Sequence, residues 1–322
     1  MHWKDLPDWE NIPEVAGLPK GCAWGLFDKG DERDQVGTLN LLTPDVVLNA
    51  KNEIEYGESV CLNWNLEDAQ VPAVNRKQFE HKIISLRHLG YTAYDDEITI
   101  NTQSGSQWDG LRHWGHQATG LHYNNLTHEA IQDVKCKDNS IHHWSLRGGI
   151  VGRGVLIDYH TWATQQKINH PATERTSISV KDIEEVAKFQ VTELCPADIL
   201  IIRTGWTAWY NAASEAGRRA GTTGDEHIGL EGTQETVKWL WNKHFAAVAS
   251  DTLAFEAWPT KPPHSLHDWL LAMWGCPIGE LWDLEKLAEK CQKYKKWSFF
   301  LASAPLHVEG GVASPPNVVA IL

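Results

Sequence analysis

The sequence contains no long hydrophobic run and no excess of basic residues, and each absence excludes a class of protein. No stretch approaches the roughly 20 apolar residues that a membrane-spanning helix needs, so we expect no membrane span. Lys and Arg total 29 against 42 Asp and Glu, and the net charge is −13. Because binding to phosphates depends on Lys and Arg, we expect neither nucleic acid nor an anionic membrane surface as a partner.

Cysteine is scarce and unpaired in the sequence. Six cysteines are scattered along 322 residues without a CxxC pair, which favours buried thiols in a reducing compartment over a disulfide framework. The first residues, MHWKDLPDWENIPE, include acidic side chains and no apolar run, so we expect no signal peptide. A cytoplasmic location is the resulting expectation.

Tryptophan is abundant, with 17 residues against 2 methionines. Most of these rings are expected in the core, because each can bury a large area. Several flank the polar segment described next, and pockets for small molecules are mostly apolar with a few polar groups. We predict that two or more line a pocket for an aromatic substrate; the alternative is that all pack in the core. The flanking residues are Trp108, Trp114, Trp206, Trp269, Trp274 and Trp282, of which Trp108, Trp114, Trp206 and Trp274 are the substrate-binding candidates.

The segment 102–117, TQSGSQWDGLRHWGHQ, concentrates polar side chains in sixteen residues. It follows a strand-like stretch, 97–101, and begins with a Gly-containing turn, so we expect its polar groups in a loop. Loops held by a rigid scaffold often carry the side chains that do chemistry. We therefore interpret the segment as part of a functional site. Its polar residues are Gln103, Gln107, Asp109, Arg112, His113 and His116.

The spacing of four of these residues resembles a known motif. Gln103, Gln107, Asp109 and His113 are separated by three, one and three residues. The metal-dependent cyclase family, which includes bacterial kynurenine formamidase and isatin hydrolase, has His-x3-His-x-Asp-x3-His. In that family the first two histidines and the aspartate bind a divalent metal, and the last histidine is the acid/base residue. Asp109 and His113 match, whereas Gln103 and Gln107 replace both metal-binding histidines.

The resemblance covers most of the chain and implies a fold. It predicts one domain, residues 1–322, with the α/β, swivelling β/β/α fold of the cyclase and kynurenine formamidase type. It also implies a homodimer or homotetramer. Six segments carry the resemblance in the same order: AWGLFDKGDERDQVGTLNLLTPDVVLNA (23–50), GRGVLIDY (152–159), ADILIIRTGW (197–206), ASDTLAFE (249–256), HDWLLAMWGCPIGELWDLEKLA (267–288) and GGVASPPNVVAIL (310–322).

The segment 267–288 resembles the part of the family that carries its second histidine and its glutamate. His267 and Glu280 are the matching residues, and His264 is the alternative histidine. Ser265 and Asp268 form a capping signature for a helix that Gly275 would end, with Glu280 in the following loop. His267 shares one face of this helix with Leu270, Leu271 and Trp274, so it could instead be a packing residue.

The resemblance implies one divalent metal, held by Gln103, Gln107, Asp109 and His267. Exchanging imidazole for carboxamide replaces a nitrogen donor by a harder oxygen, so Mn²⁺ is favoured, with Mg²⁺ or Zn²⁺ possible. His116 or His122 could complete the metal shell. The alternatives are that the metal has been lost and the amides bind substrate, and that Asp109 is only a turn cap.

With a metal present, the resemblance implies a hydrolase. The substrate would be a small amide, lactam, lactone or formamide, aromatic or cyclic, whose carbonyl is attacked by a metal-activated water. His113 and Glu280 are the catalytic candidates. Two other functions stay open: a small-molecule-binding protein on a hydrolase scaffold, and a metal-free lyase or isomerase. Arg112 and Arg203 could bind a substrate carboxylate or form structural ion pairs.

Hydrophobic periodicity predicts both strands and helices, which fits an α/β protein. Apolar residues at helical spacing, with Ser179 and Asp182 as a capping pair, predict a helix from 180 to 194 that Pro196 ends. A second helix is predicted near 233–243. The predicted strands are 60–64, 83–86, 97–101, 155–158, 199–203 and 246–250.

Overall fold

A computed structural model describes residues 2–322. Within these residues the α-helices are α1 Pro44–Ala50, α2 His128–Gln132, α3 His142–Leu146, α4 Tyr159–Gln165, α5 Val180–Gln190, α6 Trp206–Ala212, α7 Glu215–Thr223, α8 Gln234–Asn242 and α9 Glu285–Tyr294, with a π-helix at Asp268–Trp274. The strands are β1 Ser59–Cys61, β2 Glu80–Ser85, β3 Tyr94–Thr99, β4 Gln107–Asp109, β5 Leu121–His122, β6 Leu126–Thr127, β7 Ile150–Ile157, β8 Ser177–Ile178, β9 Ile199–Ile202, β10 Gly229–Leu230, β11 Ala247–Ser250, β12 Ile278–Glu280, β13 Ser298–Ser303, β14 Ala313–Ser314 and β15 Val318–Ile321.

One large sheet organises the fold. Its nine strands run in the order β1-β15-β13-β7-β9-β11-β12-β4-β14 and curl into a half-barrel. The central strands β7, β9, β11 and β12 are parallel, whereas the outer pairs are antiparallel. Every residue of β9 and β11 is buried, as expected for parallel strands that are covered on both faces. The predicted α/β class is confirmed.

Helix α5 forms where the periodicity predicts it, but it is shorter. The hydroxyl of Ser179 accepts a hydrogen bond from the backbone N–H of Asp182, and the Asp182 carboxylate accepts one from the backbone N–H of Ser179, so the capping prediction is confirmed. The prediction that the helix continues to 194 is wrong. It ends at Gln190 because Val191 adopts a left-handed backbone, with φ of 52°.

The hairpin β2–β3 is largely exposed to solvent. Its strands pair only with each other among the residues that the structure describes, and they lie a few residues before the predicted ones. Ile83 and Ile98 occupy one face of the hairpin and are exposed, as is Tyr94. The chain leaves β3 and enters the segment 102–117.

The two candidate arginines have structural roles. Arg203 forms ion pairs with Asp158, at 2.8 Å, and with Glu285, at 2.7 Å, as one of the two alternatives predicts. Arg112 is buried and donates to the backbone carbonyls of Asp138, Gly310 and Cys136. The sequence predicted that Arg112 forms an ion pair or binds a substrate carboxylate. Both predictions are wrong, because backbone oxygens accept the hydrogen bonds of its guanidinium group.

The predictions for the cysteines are confirmed in part. All six cysteines are free thiols. Cys22, Cys276 and Cys291 are buried as predicted, whereas Cys61 is exposed on β1.

Between residues 2 and 322, no helix has both the length and the apolar character that crossing a membrane requires.

Candidate metal centre

Strands β4 and β12 bring the candidate residues together. They pair antiparallel, with Gln107 opposite Glu280 and Asp109 opposite Ile278. Because side chains alternate along a strand, Gln107, Asp109 and Glu280 share one face and Trp108 lies on the other. The predictions that Gln107 and Asp109 lie in a loop and that Glu280 lies in a loop are both wrong, because all three residues belong to strands. All three residues of each strand are buried, so neither strand shows the polar alternation of a half-exposed strand.

A π-helix positions His267. This residue precedes Asp268–Trp274, and Gly275 ends the helix with φ of 66°, as predicted. The predicted capping pair is wrong, because other groups engage both side chains. Ser265 donates to Glu256 Oε1 at 3.2 Å, and Asp268 accepts from the indole of Trp114 at 2.6 Å.

Asp109, His267 and Glu280 form a compact, buried cluster. Each offers one ligand atom, and these three atoms lie within 4.8 Å of one another. His267 Nε2 stands 3.2 Å from Glu280 Oε1 and 3.8 Å from Asp109 Oδ2. Carboxylate and imidazole are common ligands of divalent metals, so this group of three can hold one cation.

Several oxygens around the cluster have no hydrogen-bond partner. Among residues 2–322, both carboxylate oxygens of Asp109 are buried without a hydrogen-bond partner, as are Oε1 of Gln107 and the whole amide of Gln103. The amide of Gln103 nevertheless lies close enough to the carboxyl group of Asp109 to help lower its pKa. Buried oxygens without donors are costly unless a cation or another donor meets them. The donor set therefore fits a divalent metal that prefers oxygen.

Glu256 fixes the orientation of His267. Nδ1 of His267 donates to Glu256 Oε1 at 2.8 Å, which leaves Nε2 directed at Asp109 and Glu280. Glu256 also accepts hydrogen bonds from the backbone N–H groups of Leu266 and His267. Histidines that bind metals commonly donate their other ring N–H to a carboxylate. We did not identify Glu256 from the sequence, because only the folded chain brings it to His267.

The electrostatics of the cluster favour a cation. Burial, followed by the charge of Glu280, raises the pKa of Asp109 to about 6, although His113 and His267 oppose this. Burial alone would lower the pKa of His267, but its hydrogen bonds to Glu256 and Glu280 raise it well above its ordinary value. Three buried carboxyl groups thus surround one imidazole, and a positive ion would offset their mutual repulsion.

His113 lies at the edge of the cluster. Its Nε2 is 3.9 Å from Asp109 Oδ2, and its side chain is 20% exposed. Burial lowers its pKa, and Asp109 opposes that effect. The turn before it requires Gly110, since a Cβ there would lie 2.3 Å from the carbonyl oxygen of Val312. His113 is therefore a neutral imidazole held between the cluster and solvent.

Three of the four predicted substrate tryptophans lie in the core. Trp108 packs edge-on against Trp282 at 4.8 Å and donates to the hydroxyl of Ser303. Trp206 stacks on Tyr210, and Trp274 donates to the backbone of Gly21. Each of these three residues is at most 2% exposed, as the alternative of core packing predicts.

Trp114 is the predicted tryptophan that lies beside the cluster. Its ring centroid is 5.4 Å from that of His267. Trp258, which the sequence analysis did not single out, packs edge-on against Trp114 at 6.5 Å. Both indoles are partly exposed, so these two rings form an aromatic wall next to the cluster.

The remaining candidate histidines take other places. His116 lies 4.0 Å from Asp268 and hydrogen-bonds to Thr119. Neither His116 nor His122 belongs to the group of three ligands that residues 2–322 bring together, and His264 does not belong to it either. Of the two alternative histidines on the 264–288 segment, the fold thus brings His267 to Asp109.

The fold and the buried cluster define an α/β protein with a candidate metal centre, and a family model identifies the family of the chain. The sequence model of the family described as "Putative cyclase" matches residues 60–257. This match covers more than half of the chain, so the protein belongs to the cyclase family. A comparison with curated proteins gave no significant match.

Solved structures share the fold. A crystal structure described as a novel cyclase is 29% identical, with a TM-score of 0.80, over 94% of this chain and 99% of that chain. An isatin hydrolase bound to the product analogue thioisatinate is 17% identical, with a TM-score of 0.58, over 87% and 99%. Isatin hydrolase A from Labrenzia aggregata, bound to benzyl benzoate, is also 17% identical, with a TM-score of 0.57, over 82% and 93%.

Proposed function

We propose that the protein is a metal-assisted hydrolase of a small aromatic or cyclic amide, lactam, lactone or formamide. The observation that carries the proposal is the buried group of Asp109, His267 and Glu280, with ligand atoms within 4.8 Å of one another. Unpaired oxygens of Gln103 and Gln107 beside this group support it.

Asp109, His267 and Glu280 would hold one divalent metal, with amide oxygens of Gln103 and Gln107 as further ligands. Amide and carboxylate oxygens are hard donors, so Mn²⁺ is favoured over Zn²⁺, and Mg²⁺ is an alternative. When bound, such an ion polarises a substrate carbonyl and lowers the pKa of water.

His113 is the proposed proton acceptor and donor. It is the partly exposed, neutral imidazole of the site, so it can take a proton from the attacking water and return it to the leaving nitrogen or oxygen. Glu280 is less suited to this task, because its two oxygens accept hydrogen bonds from the Gln107 amide at 2.7 Å and the Phe255 N–H at 3.1 Å. We therefore assign Glu280 to the ligand set.

The aromatic wall supports the proposed substrate class. Trp114 and Trp258 offer ring faces and edges beside the cluster, which suits a flat aromatic group. The isatin hydrolases that share the fold support an aromatic lactam as the first compound to assay.

The test combines metal content with activity. Protein purified without added metal is analysed by mass spectrometry for bound metals, and hydrolysis of isatin, an aryl formamide and an aryl lactone is followed before and after chelation. We expect bound divalent metal, and activity that chelation abolishes and Mn²⁺ restores. Protein without metal whose activity or ligand binding withstands chelation would refute the proposal.

A non-catalytic binding protein is the second candidate. The unpaired amide of Gln103 favours it, since a buried carboxamide can bind a polar ligand directly. This protein would retain its ligand affinity after chelation, which separates it from the hydrolase.

We also propose that the protein assembles as a homodimer or homotetramer. The resemblance implies it, and the hairpin β2–β3, which exposes Ile83, Ile98 and Tyr94, supports it. A two-stranded hairpin is marginal in water without further packing. Light scattering after gel filtration should give two or four copies; a monomer would refute this assembly.

A further inference from the structure

His227 is a buried histidine whose ring has no hydrogen-bond partner among the residues that the structure describes. The residue is 7% exposed, and within residues 2–322 neither ring nitrogen makes a hydrogen bond. It lies just before β10, and its backbone forms an isolated bridge with Trp258. A buried imidazole normally finds at least one partner, so the unmade hydrogen bonds call for an explanation.

The position of His227 links it to the candidate site. Its ring lies parallel to the indole of Trp258, with 4° between the planes and 6.2 Å between the centroids. Trp258 packs against Trp114, and Trp114 packs against His267. His267 is also close enough for its charge to lower the pKa of His227. The four rings therefore form one aromatic boundary beside the candidate metal centre.

The chemistry of a neutral imidazole limits what His227 can recognise. Burial lowers its pKa to about 4, so at neutral pH the ring carries one N–H donor and one nitrogen acceptor. The neutral ring offers no electrostatic attraction to a carboxylate or phosphate, whereas it can form a hydrogen bond with an uncharged polar group.

A secondary amide presents a carbonyl oxygen and an N–H group. The proposed function directs the carbonyl toward Asp109, His267 and Glu280, and the N–H then needs an acceptor. Glu280 already accepts from Gln107 and Phe255, and Glu256 already accepts from His267. The free nitrogen of His227 is the acceptor left along the aromatic boundary.

We propose that His227 is a specificity-determining residue that accepts a hydrogen bond from the N–H of an aromatic amide or lactam stacked beside Trp258. This inference rests on the proposed function and narrows it, because esters and lactones have no N–H to donate. A site built to bind an N–H discriminates strongly against an analogue that lacks it, since the buried acceptor is then left unpaired.

The test compares two ligands of the same shape. Oxindole carries the lactam N–H, and 2-indanone has a CH₂ group in its place. Calorimetric titration of the metal-loaded protein should give at least about tenfold tighter binding of oxindole. In His227→Phe, which keeps the aromatic ring, this preference should fall to within about twofold, whereas His227→Asn should retain part of it.

The controls separate this inference from the proposed function. His142→Phe replaces a buried histidine that hydrogen-bonds to Ser140, and it should keep the preference. Metal content should be the same in all variants. Equal affinities for the two ligands in the original protein, no measurable binding of either, or an undiminished preference in His227→Phe would overturn the role of His227. If the original protein showed no metal-dependent hydrolysis, the proposed function would be refuted instead.

Discussion

Glu256 accepts a hydrogen bond from Nδ1 of His267 at 2.8 Å, and this contact directs the other ring nitrogen at the candidate metal centre. The carboxylate comes from the end of the segment 249–256, and the histidine directly precedes the π-helix. The two residues are eleven positions apart. Because of this contact, the orientation of the candidate metal ligand His267 depends on Glu256, which is not itself a candidate ligand.

Glu256→Gln tests this positioning role. The amide is neutral and accepts more weakly from the imidazole, so the affinity for Mn²⁺ should fall by about 10- to 100-fold. Competition with a coloured chelator measures the affinity. Glu129→Gln, on an exposed side chain of α2, is the control and should leave it unchanged. Equal affinities for Mn²⁺ in Glu256→Gln and the control would show that Glu256 does not position His267 for metal binding.

His113→Ala tests the assignment of proton transfer. Turnover should fall by about 10²- to 10⁴-fold, because general acid–base catalysis contributes that much. Metal content should stay near that of the unchanged protein. His128→Ala, an exposed histidine nearby in sequence, should keep both. If His113→Ala empties the site of metal, His113 is a ligand and our assignment is wrong.

Asp109→Asn should lower metal occupancy sharply and leave the protein folded. The carboxylate is fully buried beside Glu280, so without metal its charge is repelled. We therefore expect the metal-free variant to melt at the same temperature as the metal-free original protein, or higher. Mass spectrometry and thermal melting measure the two effects. Unchanged metal occupancy would exclude Asp109 as a ligand.

Glu53 provides a prediction about stability and pH. Burial would raise its pKa, but hydrogen bonds from Lys296 and Ser298 and the charge of Arg153 hold the pKa below its ordinary 4.5. Because the folded protein lowers this pKa, the carboxylate stabilises the fold above pH 4.5, and the stabilisation is lost as the pH falls through the folded value.

Glu53→Gln should accordingly destabilise the protein at pH 7 by about 1–3 kcal/mol, as expected for hydrogen bonds to a charged group. The difference should shrink as the pH falls below 4.5. Urea unfolding at several pH values measures it. Glu55→Gln is the control, since Glu55 is exposed and forms its ion pair with Lys296. A difference that is independent of pH would contradict the role of the Glu53 charge.

The sequence predicted the fold class and the principal site residues because the relevant signals are local. The spacing from Gln103 to His113 lies within one segment, and the resemblance of 267–288 supplied His267 and Glu280. The central strands could be predicted because β9 is a continuous apolar run, and α5 because its capping box is made by two nearby residues.

The errors came from contacts between distant parts of the chain. Ser265 and Asp268 have the capping pattern, but Glu256 and Trp114 engage their side chains. β4 is three residues long and fully buried. It therefore shows no alternation of apolar and polar residues, and its polar residues led to the prediction of a loop. Trp258 and His227 lie in unrelated segments, and only their stacking beside Trp114 relates them to the site.

The most direct measurement is the anomalous diffraction of a crystal soaked in Mn²⁺. The account predicts one strong anomalous peak in contact with Asp109, His267 and Glu280, and its absence from an Asp109→Asn crystal treated in the same way. A peak bound elsewhere on the protein, or no peak between these three side chains, would contradict it.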